Sequence, residues 1–259
     1  MLLAQEIPTS MLGEWSSLSD FDFVLAHKVL EDTYYAEFFK SREKGREVLL
    51  DNSYHELGVP LAISDLLEAA QRVNANYVIT PDRVGDVEFN SRMFKQSHRI
   101  LSPQFRTAVV MTGSDKSEIL DFLIDVRDAN MLCLTFKDPQ RFEKYKGMPY
   151  TRRWGRVHLL GVSEFEELDT WNKFLKGSGQ SLFGQRIWSV DTGKAIKWAL
   201  KSKKLDELAS LRTNAETTTK GLASEASQKL LDVPRSDITE EVDNLFRHNV
   251  QVLRSHLGD

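Results

Sequence analysis

Short apolar runs alternate along this chain with segments whose apolar residues recur at helical spacing. A first run lies within residues 1–8, and a second within residues 21–27, behind a turn rich in Ser and Asp. Between residues 31 and 44, Tyr34, Tyr35, Phe38 and Phe39 fall at helical spacing, and residues 48–51 return to an unbroken apolar run ending in Asp51. Residues 64–73 form an amphipathic helix with Ser64 as its N-cap, followed by a strand leading to Asp82. The pattern predicts a helix over 89–100, a strand over 107–111, and a helix from the capping-box pair Asp115 and Glu118 through Arg127. Strands at 131–136, 156–160 and 187–190 complete the series, with a helix from Ser163 and Glu166 through Phe174. Apolar runs that do not alternate suit a parallel sheet covered on both faces.

Eight short strands separated by helices are the expected count for a closed (β/α)8, TIM-like barrel, assigned to residues 1–204. An open doubly wound sheet is the competitor, but no glycine-rich phosphate fingerprint follows an early strand. Three runs end alike, in Asp51, Asp82 and Asp191, while Thr112 and Thr135 end two others. Strand C-terminal ends of a barrel form one rim, so three acids there read as one site. Residues 205–259 form a helical extension. Within it, 214–227 is rich in Thr, Ser and Ala and reads as a weak helix or linker. After Pro234, Asp237 and Glu240 cap a helix with an apolar stripe of Ile238, Val242, Leu245, Phe246, Val250 and Leu253, which packs on the barrel or on a second copy in a homo-oligomer.

With 259 residues and 41% apolar composition, the chain can bury a sizeable core. A formal charge of -4 excludes a uniformly basic nucleic-acid binder but allows a local basic face. One cysteine, Cys133, excludes an internal disulfide and a cysteine zinc cage, and reads as a small core residue in a reducing compartment. No run approaches the roughly 18 to 20 residues of a membrane span, and the first residues lack a signal peptide's pattern, so a cytoplasmic protein is expected.

Two carboxylates facing each other across a barrel mouth can serve as nucleophile and general acid/base at an anomeric carbon. His27 and His55 are candidate metal ligands, but no His-x-His, HExxH or clustered cysteines accompany them, so metal-free chemistry is preferred and no cofactor is expected. Basic residues interleave with rings around Arg152, Arg153, Trp154 and Arg156, and lysines including Lys194 and Lys197 follow the Asp191 strand. Both patches suit phosphate contacts and base stacking, or plain solvated surface.

The strand endings at residues 50–56, 80–82, 110–113, 158–162 and 189–192 together resemble the tRNA-guanine transglycosylase superfamily, most closely its phage and bacterial DNA-modifying branch, over about residues 20 to 200. Asp51-Asn52-Ser53-Tyr54-His55 resembles the segment carrying the family's proton-transfer aspartate, and Thr80-Pro81-Asp82 the strand whose aspartate recognises guanine. Val110-Met111-Thr112-Gly113 resembles Val-Gln-Gly, His158-Leu159-Leu160-Gly161-Val162 resembles Leu-Met-Gly-Val-Gly, and Asp191 stands where the nucleophile ends the last strand. Thr112 replaces a base-holding Gln, the double glycine after Asp51 is missing, and the zinc subdomain is absent. The resemblance implies a retaining pentosyltransferase that exchanges guanine in DNA for a free 7-deazaguanine, a queuosine-related base, in the host cytoplasm if the chain is phage-encoded. Asp191 would attack the sugar and Asp51 would move the proton. Asp82, His27, Tyr54, His55, Thr112, Gly113, Thr135, Leu160 and Gly161 would hold the base, and Arg152, Arg153, Trp154, Lys194 and Lys197 the nucleic acid. The alternatives are a tRNA substrate, an N-glycoside hydrolase and a non-catalytic nucleic-acid-binding barrel.

Overall fold

The computed structural model describes residues 1–42, 45–146, 154–162, 165–177, 187–201 and 230–257. Eight strands, β1 (Leu2–Gln5), β2 (Asp22–Leu25), β3 (Val48–Asp51), β4 (Tyr77–Ile79), β5 (Arg106–Val110), β6 (Met131–Thr135), β7 (Arg156–Leu160) and β8 (Ile187–Thr192), pair in parallel in the order β1-β8-β7-β6-β5-β4-β3-β2. Curling that order on itself makes the nearly closed α/β barrel that the alternation predicts. Helices cover it outside: α1 (Leu12–Trp15), α2 (Ala26–Glu31), α3 (Thr33–Lys40), α4 (Tyr54–Leu57), α5 (Ile63–Arg72), α6 (Val87–Leu101), α7 (Lys116–Asp125), α8 (Arg141–Lys146), α9 (Phe165–Gly177), α10 (Lys194–Ala199) and α11 (Glu240–Leu257).

The unbroken apolar runs now have a physical reason. Along β3, Leu49 joins the barrel-lining cluster with Phe21, Ile79, Ala108, Val110, Met131 and Cys133, whereas Val48 and Leu50 face the helix layer. Both faces are buried, each such side chain contributing roughly 1.5–3 kcal/mol, which a polar residue without a partner there would forfeit.

Closure between β1 and β2 is made partly by side chains. Ser19 Oγ accepts from the Gln5 amide at 3.0 Å and Asp20 Oδ2 from the Leu3 amide at 2.7 Å, while Asp20 N–H donates to Leu3 O at 2.7 Å. Arg254 of α11 donates in turn to Asp20 Oδ1 at 2.8 Å and to Leu18 O at 3.1 Å. The rest of α11 packs along α9 and α10. Trp15 stacks on Phe246 with centroids 4.2 Å apart and donates to Asp243 at 2.6 Å, and Asn249 donates to Ala195 O. The last helix therefore sits on its own barrel.

Some local expectations are corrected. Ser64 lies inside α5 and donates to Asp65, while extended Ala62 occupies the cap position without a side-chain bond. Asp115 does cap α7, but Glu118 reaches back to the amide and hydroxyl of Ser114 rather than to Asp115. The α11 cap bond comes from Thr239 Oγ1, which accepts from the Val242 amide. Ser163 and segment 214–227 lie outside the described residues. Among the described residues no helix is long and apolar enough to cross a membrane.

Candidate active site

The turn after β3 is built by its own side chains. Asp51 Oδ2 accepts from the Ser53 amide at 2.8 Å and Asn52 Oδ1 from the Tyr54 amide at 2.9 Å, which holds Ser53 at φ 60 and starts α4. The same residues tie neighbouring strand ends together. Asn52 Nδ2 donates to Thr80 O and to Asp82 Oδ1 at 2.7 and 2.8 Å, and Ser53 Oγ accepts from the His27 amide at 3.1 Å. On the opposite wall, Asp191 Oδ1 accepts from Gly161 N–H and pairs with His158 Nε2, each at 3.0 Å. His158 is fully buried, its Nδ1 lies 3.0 Å from Ser189 Oγ, and its ring stacks on Phe23. No protein donor reaches Asp191 Oδ2 among the described residues, so this oxygen is left for the pocket.

These groups converge. One pocket at the C-terminal rim, with a cavity of about 70 Å³, is lined by Glu6, Asp51, Glu56, Asp82 and Asp191, together with Lys137, Asn52, the rings of Phe23, Tyr54, His55 and Phe136, and Thr135, Leu160 and Gly161. Of the residues expected there, Asp51, Asp82, Asp191, Tyr54, His55, Thr135, Leu160 and Gly161 are present. Crowded burial dominates the electrostatics. It lifts Asp51 well above the usual carboxylate range, with Glu56 adding to the rise against the Ser53 N–H. Burial and then Glu6 push Glu56 up to about 7, and burial pushes Asp82 up to about 6 against the Asn52 hydrogen bond. Glu6 is also raised, chiefly by burial, although Lys197 opposes it. His55 falls to about 4 through burial and the nearby charges of Lys137 and Lys197. Among the described residues no group of three or more His, Cys, Asp or Glu side chains is arranged to hold a metal ion.

Other expectations fail for visible reasons. His27 does not line the pocket, because α2 begins at Ala26 and carries the ring into the interior, where neither nitrogen has a partner. Thr112 and Gly113 line an adjoining chamber instead. Trp154 is 2% exposed within the core and offers no face to a base. Arg156 opens β7 at the far end of the barrel, paired with Glu47 and lying over Tyr77. Lys197 points back toward Glu6, 3.7 Å away. Arg152, Arg153 and the Lys194 side chain lie outside the described residues.

Glu6, Asn52, Glu56, Lys137 and His158 were assigned no site role from the sequence, although Asn52 and His158 stand within quoted motifs. Glu6 directly follows β1, as Asp51 ends β3, so the strand-end rule applied to β1 finds it. His158 was legible as a polar residue at an inward position of β7, two before Leu160. A larger hollow of about 870 Å³ between α6 and α7 is lined mainly by charged helix surface such as Glu88, Arg92, Lys95 and Asp125, and brings no comparable buried acids together.

Fold and site define a parallel (β/α)8 barrel with a buried acidic pocket at the strand C-terminal rim. No family model and no curated protein matches the chain. Similar solved structures include an N-acetylneuraminate lyase from Mycoplasma synoviae, with TM-score 0.41, 11% identity, and coverage of 97% of this chain and 90% of that one. Another is the YdjI aldolase from Escherichia coli K12, with TM-score 0.35, 11% identity, and coverage of 96% and 98%. The expectation of a guanine transglycosylase, and of a pentosyltransferase at all, is corrected: these similar structures are titled a lyase and an aldolase. The displacement of Thr112 and Gly113 from the pocket removes part of the motif on which that expectation stood. Likeness at these scores gives the chain neither neighbour's activity.

Proposed function

We propose that this chain is a barrel enzyme that performs general acid–base catalysis on a small substrate bearing N–H or cationic groups. The observation that carries this reading is the enclosure of five carboxylates, Glu6, Asp51, Glu56, Asp82 and Asp191, in one pocket with a single lysine, Lys137. Evolution tolerates such crowding mainly where the shifted groups do chemistry, since mutual repulsion and desolvation cost stability. Asp191 is aimed by His158 and Gly161, so Oδ2 is the proton acceptor. Glu56, raised to about 7, is half protonated near neutral pH and returns the proton. Asp82, fixed by Asn52, receives the substrate's N–H edge, and the rings of Tyr54, Phe23 and Phe136 cover its faces.

The test is an NMR binding and turnover screen of amines, amidines and aminopyrimidines at pH 7, with carboxylic acids as controls. Binding is expected to depend on Asp82, and conversion of any bound compound to be lost in Asp191→Asn while binding survives. A screen in which carboxylic acids bind and N–H compounds do not, or full turnover in Asp191→Asn, overturns the reading.

A further inference from the structure

A second chamber of about 250 Å³ adjoins the acidic pocket, and the two share Asp82, Val84, Val110, Thr135 and Lys137 as a common wall. Its remaining lining includes Arg83, Thr112, Gly113, Ser114, Asp138 and Lys144. The sign of the charge changes across this wall. The first pocket sets five carboxylates against Lys137, whereas the chamber sets Arg83, Lys137 and Lys144 against Asp82 and Asp138.

Two of the three cations make no ion pair among the described residues, although Lys137 also lies in the field of Asp82 and Glu56. Lys144 donates to Asp138 Oδ2 at 2.7 Å and to Gly113 O at 3.0 Å, which anchors it at the chamber wall with one N–H to spare. Arg83 and Lys137 have no carboxylate within ion-pair distance among the described residues; each lies near a ring, Arg83 4.0 Å from the Phe89 centroid and Lys137 5.4 Å from that of Tyr54. Cations that line a cavity without an ion pair can form an anion site, because a guanidinium and an ammonium keep donors free to turn toward an entering anion. The floor is rigid. Gly113 adopts φ +135, and a Cβ there would meet Ile119 at 2.6 Å, so the backbone is held close against α7.

We infer that the two spaces together take a bipolar ligand: a hydrogen-bond-donating head enters the acidic pocket, and an anionic group, phosphate or carboxylate, rests against Arg83, Lys137 and Lys144. This deepens the proposed function by naming the substrate class, and it rests on that reading only for the head group. Joining the halves makes the second contact intramolecular, so the bipolar molecule binds more tightly than either half.

The experiment is an amide NMR titration at constant ionic strength with four probes: inorganic phosphate, acetate, a short alkylamine and the corresponding aminoalkyl phosphate. Phosphate is expected to shift the Gly113, Ser114 and Lys137 amides saturably, and the aminoalkyl phosphate to bind at least tenfold more tightly than phosphate or the amine. Arg83→Gln with Lys137→Gln should weaken phosphate at least tenfold while the circular dichroism spectrum stays unchanged. Acetate shifting the same amides in place of phosphate supports the site and assigns its anion as a carboxylate. The inference is overturned if neither anion perturbs these amides, if the double variant binds as well as the parent, or if the linked probe binds no better than its halves. Amine binding in the acidic pocket without anion binding overturns this inference alone and leaves the proposed function standing. Anion binding without amine binding removes the head-group reading and the proposed function with it.

Discussion

Replacing Glu56 with Gln should make the protein more stable, and only above acidic pH. Glu56 is 9% exposed, and its Oε2 is buried without a hydrogen-bond partner, so its own backbone N–H and Lys137 offset a negative charge there only in part. Burial, followed by Glu6, raises the acid from the usual 4.5 to about 7. A raised carboxyl pKa means that the folded chain holds the proton more tightly than the unfolded chain does. This contribution is complete at low pH and is lost as pH climbs from about 4.5 through 7. The interval converts to about 3 kcal/mol of lost stability by pH 8, and to under about 1 kcal/mol at pH 5. Glu56→Gln keeps the size and removes the charge. Its urea midpoint should rise at pH 8 by an amount worth up to about 3 kcal/mol, or roughly 6–12 °C in Tm for a chain of this size, and hardly move at pH 5. Equal effects at the two pH values, or destabilisation at pH 8, would show that the pocket does not strain this carboxylate and would refute the electrostatic reasoning.

His27 carries the opposite sign. Burial lowers it to about 4, so stability is full above 6.5 and is lost as pH falls toward 4; His27→Phe should flatten the acid side of a Tm-versus-pH curve, and parallel curves for parent and variant would count against this. Arg141, 3% exposed, donates to both oxygens of Glu167 and to the carbonyls of Leu134 and Leu160 beneath the rim. Arg141→Met should cost about 3–5 kcal/mol by denaturant unfolding, partly recovered by adding Glu167→Gln, and a loss below about 1 kcal/mol would contradict the pairing. Gly161 adopts φ +64, and a Cβ there would meet Phe136 at 2.5 Å. Gly161→Ala should therefore destabilise by about 1–2 kcal/mol from backbone strain and displace the Phe136 ring, seen as a loss of the His55–Phe136 ring contact in a crystal structure; an unmoved ring refutes the close approach.

The barrel was legible because its strands are buried on both faces, and a run such as Val48–Leu50 has no other economical place. Strand-end acids were legible for a related reason: Asp51 and Asp191 interrupt mainly apolar runs, and a buried carboxylate there is best placed at the rim. Residues reached by a different local rule were not. His27 follows a strand, but a helix starting one residue earlier rotates it inward, and nothing in the strand pattern signals that rotation. Glu56 stands on a single helical turn created by the side-chain bonds of Asp51 and Asn52, so its position depends on hydrogen bonds rather than on periodicity. Of the motif residues quoted at strand ends, Asp51, Asp82, Leu160, Gly161 and Asp191 share the pocket, whereas Thr112 and Gly113 match a pattern in order yet face another space.

The barrel seam has a consequence in time. Asp20 satisfies an amide of the first strand, and Arg254, near the far end of the described chain, satisfies Asp20. During synthesis the first strand emerges long before β8, which flanks it, and before Arg254, which holds the Asp20 carboxylate on its other edge. Until then the nascent chain carries a strand with a free edge beside the unpaired acid of Glu6. The first strand is thus among the last elements to reach its final bonding, because the partner on one edge and the clamp behind the other both lie far downstream.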